Sequence, residues 1–197
     1  KKNDSMEKNN FWNEAAKCGA VIGVILAVSN MLENSVFFTE GMGFIYLMVL
    51  EFFAVAALHY YLLHRYTRRR SQLYTADEGF TFGQGYGFLL AVSGFAGIIV
   101  GVVQAVYLHL IVGYSAYIAR YVAWMTGLFA QMGSASSSFE GILSQAITEL
   151  QNTPAPSILK TLWGGVWSSL LSGAIFGLII AGVIARAPKP FDTEVNE

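Results

Sequence analysis

Residues 44–63, FIYLMVLEFFAVAALHYYLL, are apolar almost without a break. At 1.5 Å rise per residue, about 20 such residues cross the roughly 30 Å hydrocarbon core of a bilayer. Comparable runs recur along the chain, which predicts four transmembrane helices over about 11–32, 43–64, 84–112 and 157–186. The fold expected is an all-α integral membrane bundle forming a single domain over 1–197. The connection between the third and fourth spans, about 113–156, is too long and too patterned for plain loop. Tyr117, Ile118, Tyr121, Val122, Met125 and Phe129 repeat at helical spacing up to Gly133. Ser137-Ser138-Phe139-Glu140 then reads as a capping box opening a second amphipathic run, through Ile142, Leu143, Ala146, Ile147 and Leu150, that ends at Asn152-Thr153-Pro154. An outer helical hairpin that lies at the interface and covers the bundle is expected here. It is also a possible docking platform for an outer partner.

Small residues recur every fourth position on three spans: Gly19, Gly23 and Ala27; Gly97, Gly101 and Ala105; Ser169, Gly173, Gly177 and Ala181. Lipid gives apolar side chains little reason to prefer one another, so helices associate through close backbone approach along such stripes. Three stripes exceed what a minimal bundle requires, and one spare stripe for a partner helix or a second copy is the expectation.

Charge orients these elements. Ten of the twelve Lys and Arg, namely Lys1, Lys2, Lys8, Lys17, Arg65, Arg68, Arg69, Arg70, Arg186 and Lys189, fall on one side of the four-span topology. The positive-inside rule then places both termini in the cytoplasm, and the expected location is a bacterial inner membrane. The lysines before the apolar run at Gly19–Val28 superficially resemble a signal peptide, but no small-x-small cleavage site leads to a polar start, so the segment reads as a retained anchor. Met6, opening MEKNNFW, reads like an initiator, with Lys1 to Ser5 as an upstream extension, native or artificial. The composition agrees with a membrane chain: 54% hydrophobic and 13% charged residues, with a mean hydropathy of +0.48. A net charge of -1 argues against nucleic acid as a partner, and the single cysteine, Cys18, excludes a disulfide framework and a multi-thiolate metal site.

Glu51 interrupts the second span near its expected mid-membrane position. An ionised, unpaired carboxylate there costs several kcal/mol, which predicts a protonated or hydrogen-bonded side chain. Gln104 is expected at comparable depth, and with Ser168, Ser169 and Ser172 it supplies the plausible partners. Two readings follow: structural glue, or a proton or ion site. His59 and His64 are expected near the inner face and His109 near the outer. Arg65, Arg68, Arg69 and Arg70, beside Tyr60, Tyr61 and Tyr66, are placed to hold an anionic lipid or phosphate head group, although topology alone would also put arginines there.

Enzyme signatures are missing. FGQGYG at 82–87 lacks the G-x-G-x-x-G spacing and follows no strand, and neither HExxH nor a nucleophile elbow occurs. The serines at 134–138 read as a turn with an N-cap, and Trp163 and Trp167 as interface anchors. No catalytic residue, metal ligand or cofactor is expected.

Four pieces of the chain, FWNEAAKCGAVIGV at 11–24, GFTFGQGYGFLLAV at 79–92, QMGSASSSFEGILSQAITEL at 131–150 and GAIFGLIIAGVIARAPKP at 173–190, taken in order, resemble the four-span inner-membrane proteins of Bacteroidota grouped as domain of unknown function DUF4199. The apolar stretch 114–130 departs from that pattern. The resemblance implies no established activity; it does imply proximity to polyprenyl-phosphate-type glycosyltransferases. Two functions are therefore expected to compete. One is a non-catalytic accessory or scaffold subunit that binds membrane lipids and a membrane partner, with such a glycosyltransferase as the named candidate. The other is a small oligomeric carrier, flippase or proton-coupled channel using Glu51.

Overall fold

The computed structural model describes residues 10–36, 43–131 and 140–188. Among these the chain forms six α-helices: α1 Phe11–Val36, α2 Gly43–Ser71, α3 Phe82–Val106, α4 Tyr114–Gln131, α5 Glu140–Asn152 and α6 Ile158–Ile184, with a π-helical turn, Tyr107–Ile111, continuing α3. Four stretches, Phe11–Ser35, Tyr46–Ser71, Phe82–Ile111 and Ile158–Ile184, are long and apolar enough to cross a membrane, and α4 and α5 lie between the third and fourth. The chain is a multi-pass all-α membrane protein. Two ends of the bundle are distinguished below: the terminal end, where α1 starts, α6 stops and α2 turns into α3, and the distal end, which leads into α4.

The core is α3, gripped between α1 and α6 through backbone contacts that only small residues allow. A Cβ at Gly19 or Gly23 would fall within about 3 Å of Val92, Phe95, Ala96 or Ile99 on α3. A Cβ at Gly97 would lie 2.7 Å from Val166 Cα, and one at Gly101 only 2.3 Å from the Leu162 carbonyl. Gly173 and Gly177 return the contact from α6 against Ser93 and against Tyr86 and Leu89. All three stripes are thus used between α1, α3 and α6, and the spare stripe expected from the sequence does not exist. Around them Ile22, Phe88, Leu89, Val92, Ala96, Ile180 and Ala181 are buried.

By contrast, α2 lies at the periphery. Its terminal half packs through Leu63, Thr67 and Arg70, whereas Tyr46, Leu47, Leu50 and Phe53 of its distal half are exposed. It also runs to Ser71, seven residues past the expected end at 64. The arginines do not stop it: Arg is a good helix former, and the buried Arg70 finds a half-buried partner in Glu14. Glu51 sits about two turns from the distal end, and His59, expected near the inner face, occupies the middle of the lengthened helix.

The helix ends explain the other boundary differences. Thr81 caps α3 by accepting from the Gln84 N–H while the Gln84 side chain accepts from the Thr81 N–H, a reciprocal box that starts the helix at Phe82 instead of 84. Ser157 caps α6. Arg186 has left the helix and pairs with Phe80 as an antiparallel bridge. Gly79 permits that approach: its φ is +67°, and a Cβ there would lie 2.7 Å from Pro188 N.

The outer hairpin does not cover the bundle. No residue of α4 is fully buried, and its named tie to α1 is a 3.0 Å hydrogen bond from the Tyr117 hydroxyl to Asn34 Oδ1. Burial, with the neighbouring Tyr121, Tyr107 and Tyr114, pushes the Tyr117 phenol up to about 12, so it remains a donor across the physiological range. Helix α5 begins at Glu140; the capping residues predicted for it, Ser137, Ser138 and Phe139, lie outside the described residues.

Candidate functional site

Helical periodicity brings three faces together in the distal half of the bundle. Leu26, Ser29, Asn30 and Glu33 on α1 recur at spacings of three and four; so do Phe52, Ala56 and His59 on α2, and Ser169, Ser172 and Phe176 on α6. With Ser168 and Val100 they line a cavity of about 270 Å³. The cavity lies beside the distal half of α2, where Tyr46, Leu47, Leu50 and Phe53 are exposed.

Glu51 is held beside this cleft by α1: Ser29 Oγ donates to its Oε1 at 2.5 Å. None of the four partners expected from the sequence does this. Gln104 lies on α3, which has little contact with α2. Ser168 and Ser172 line the cleft but bond back to the carbonyls of Gly165 and Ser169 on their own helix. Ser169 is buried against α3. The remaining Glu51 oxygen, Oε2, and His59 Nε2 are buried and accept or donate no hydrogen bond among the described residues. His59 is 5% exposed and meets the Phe176 ring edge-on at 5.5 Å. Buried polar atoms left unbonded cost about 1–3 kcal/mol each; Thr67 Oγ1 and Ser93 Oγ are two more among the described residues, away from the cleft.

Ser29, Asn30 and Glu33 are not singled out by the sequence, and His59 is expected from it near the inner face instead. Their i, i+4 and i, i+8 spacings relative to one another and to Glu51 were visible, but which faces converge depends on the tilt of α2. A further chain leads away from the cleft: Asn34 Nδ2 donates to Asn30 Oδ1 at 2.9 Å, and Asn34 accepts from Tyr117. The hairpin helix α4 is thereby connected to a cleft-lining amide.

At the terminal end the four arginines separate. Arg70 follows Leu63 and Thr67 on the inward face of α2 and is 3% exposed. Its Nη1 pairs with Glu14 Oε2 at 2.5 Å, and its guanidinium lies 4.9 and 5.1 Å from the ring centres of Phe11 and Phe88. Arg70 is therefore no ligand for a head group, contrary to the expectation that grouped it with the other three. Arg65, Arg68 and Arg69 are exposed. Arg186 donates to the Ser71 carbonyl at 2.7 Å, closing the α2–α3 connection over the end of α6. His109 and Thr161 bond at 2.9 Å, fixing the π-helical turn to the start of α6.

Among the described residues no group of three or more His, Cys, Asp or Glu is placed to hold a metal ion. No curated protein and no solved structure matches the chain. The family model described as "Protein of unknown function (DUF4199)" matches residues 17–186, nearly the whole of the bundle just described, and the chain belongs to that family.

Proposed function

We propose that this protein is a small, non-catalytic carrier or proton-coupled channel of the inner membrane, working through the distal cleft. The observation that carries this reading is one cavity lined by Glu33 and His59, with Glu51 bonded to the lining Ser29, and with Glu51 Oε2 and His59 Nε2 making no hydrogen bond among the described residues. Ionisable side chains inside a bilayer are costly, and they recur where protons or ions pass. Ser29 and the α6 serines supply neutral oxygens at the same level, as a hydrated or weakly bound cation requires. The terminal end faces the cytoplasm, because six of the eight Lys and Arg among the described residues, Lys17, Arg65, Arg68, Arg69, Arg70 and Arg186, lie toward it.

Reconstitution into proteoliposomes with a pH-sensitive dye inside and an imposed potential tests the reading. Wild type is expected to dissipate the gradient. Glu51→Gln should abolish the flux while the variant purifies with the same size profile and thermal midpoint. Flux in Glu51→Gln equal to wild type rejects the role given to this carboxyl.

A second reading is favoured by a different observation: no residue of α4 is fully buried. Such a hairpin suits an accessory subunit docking on a membrane partner, with a polyprenyl-phosphate-type glycosyltransferase as the candidate that the family resemblance supplies. Mild-detergent purification from native membranes followed by mass spectrometry should then recover that enzyme. Recovery that survives deletion of residues 114–152 removes the hairpin from this role.

A further inference from the structure

The terminal end carries a second cavity, of about 380 Å³, between α1 and α2, lined by Asn10, Asn13, Glu14, Lys17, Cys18, Arg69 and Leu73. Its charges are arranged in two layers. Behind the wall, Arg70 occupies the carboxylate of Glu14. In the lining, Lys17 and Arg69 are exposed and make no ion pair among the described residues. The only acid of the lining is therefore already neutralised, and two cations and two amides, Asn10 and Asn13, are left facing the same space. From these groups we propose that the cavity binds one phosphate monoester, the chemistry shared by a phosphatidate head group and a soluble sugar or glycerol phosphate.

Position supports this assignment. Lys17 is less than two turns from the start of α1, and Arg69 is two residues from the end of α2, so the cavity lies at the level of lipid head groups when the helices span a bilayer. A guanidinium offers a planar fork to phosphate oxygens and an ammonium a compact charge, and together they offset both charges of a monoester. The short amides Asn10 and Asn13 add donors. Basic pockets between helices at the cytoplasmic interface have the form expected for phospholipid recognition. The structure thus narrows a diffuse arginine cluster to a site: Arg70 is withdrawn into the wall, and Lys17, on a different helix, takes its place opposite Arg69. The site is remote from the distal cleft and independent of how that cleft works.

Native mass spectrometry of the detergent-purified full chain tests the assignment with two probes, dioleoyl phosphatidate and glycerol 3-phosphate, and dioleoyl phosphatidylcholine as reference. One bound equivalent of either probe, at least tenfold tighter than phosphatidylcholine, is expected. Saturation by glycerol 3-phosphate identifies a soluble ester as sufficient, and binding of phosphatidate alone identifies the lipid; both support the site. K17Q/R69Q should lower affinity at least tenfold, whereas Arg68→Gln should leave it unchanged. Both changes fall on exposed side chains, so all variants are expected to keep the wild-type thermal midpoint. Failure of both probes to bind, or binding equally strong in K17Q/R69Q, overturns the proposal.

Discussion

Arg70 shows how a single residue can leave the group its neighbours define. In sequence it is one of four arginines in six positions, and every topological argument treats them alike. A helix separates them by 100° per residue, so Arg70 turns inward with Leu63 and Thr67 while Arg65, Arg68 and Arg69 stay outside. Burying an arginine is tolerated only with its charge matched, which Glu14 does from α1 and the rings of Phe11 and Phe88 assist. Glu14→Gln, which removes the carboxylate paired with the buried Arg70, should therefore cost about 3 kcal/mol. The double change E14L/R70M should recover most of that loss, since apolar groups of similar volume replace a buried pair at little cost. Denaturation of the two variants beside wild type, followed by far-UV circular dichroism, measures both; equal losses in the single and the double variant would show that the charge is not what matters.

At the scale of helices, the decisive contacts are made by residues without side chains. The stripe on α6 is legible as far as Ser169, Gly173 and Gly177, but it also includes Gly165, one turn earlier, whose Cβ would lie 2.5 Å from the Gly101 backbone. Its neighbour Gly164 faces open space, with nothing within 4 Å. Gly165→Ala is therefore expected to push α3 and α6 apart and to destabilise the protein by about 1–3 kcal/mol, while Gly164→Ala leaves stability unchanged or slightly raised. Thermal unfolding of the two variants in the same detergent decides this. The pattern was readable because small residues at a spacing of four admit one physical use in lipid; which helix each stripe faces was not, because the sequence gives spacing along an axis and no angle between axes. The same gap accounts for the partner of Glu51. Depth matching pointed to Gln104, yet depth fixes one coordinate only, and the α1–α2 crossing brings Ser29 to the carboxyl instead. Capping was read where Ser137 and Glu140 suggested it and overlooked at Thr81 and Gln84, whose identical spacing was obscured by the glycines that follow.

The whole molecule is a tight three-helix unit, α1, α3 and α6, with α2 leaning on it from outside. Four spans and their order follow from apolar run length, because a bilayer imposes a length on any helix that crosses it, and the intervening helices follow from the helical spacing of their apolar residues. How unequally the four pack could not be read, since all have similar hydropathy. Stability should follow packing: amides in the distal half of α2 exchange hydrogen faster than those of α3, because fewer contacts must break to expose them. Hydrogen–deuterium exchange in nanodiscs is expected to rank α2 residues 46–58 ahead of α3 residues 88–101, and uniform protection across the two helices would contradict the loose placement of α2.

The bond between Ser29 and Glu51 joins segments only 22 positions apart, and the pair formed by Glu14 and Arg70 belongs to the same two helices. During synthesis the first two helices therefore carry, near either extremity, a complete polar clasp before any later part of the polypeptide leaves the ribosome. They can partition into lipid as a pair, with one oxygen of the troublesome acid already bonded, and wait there for the next helix to arrive.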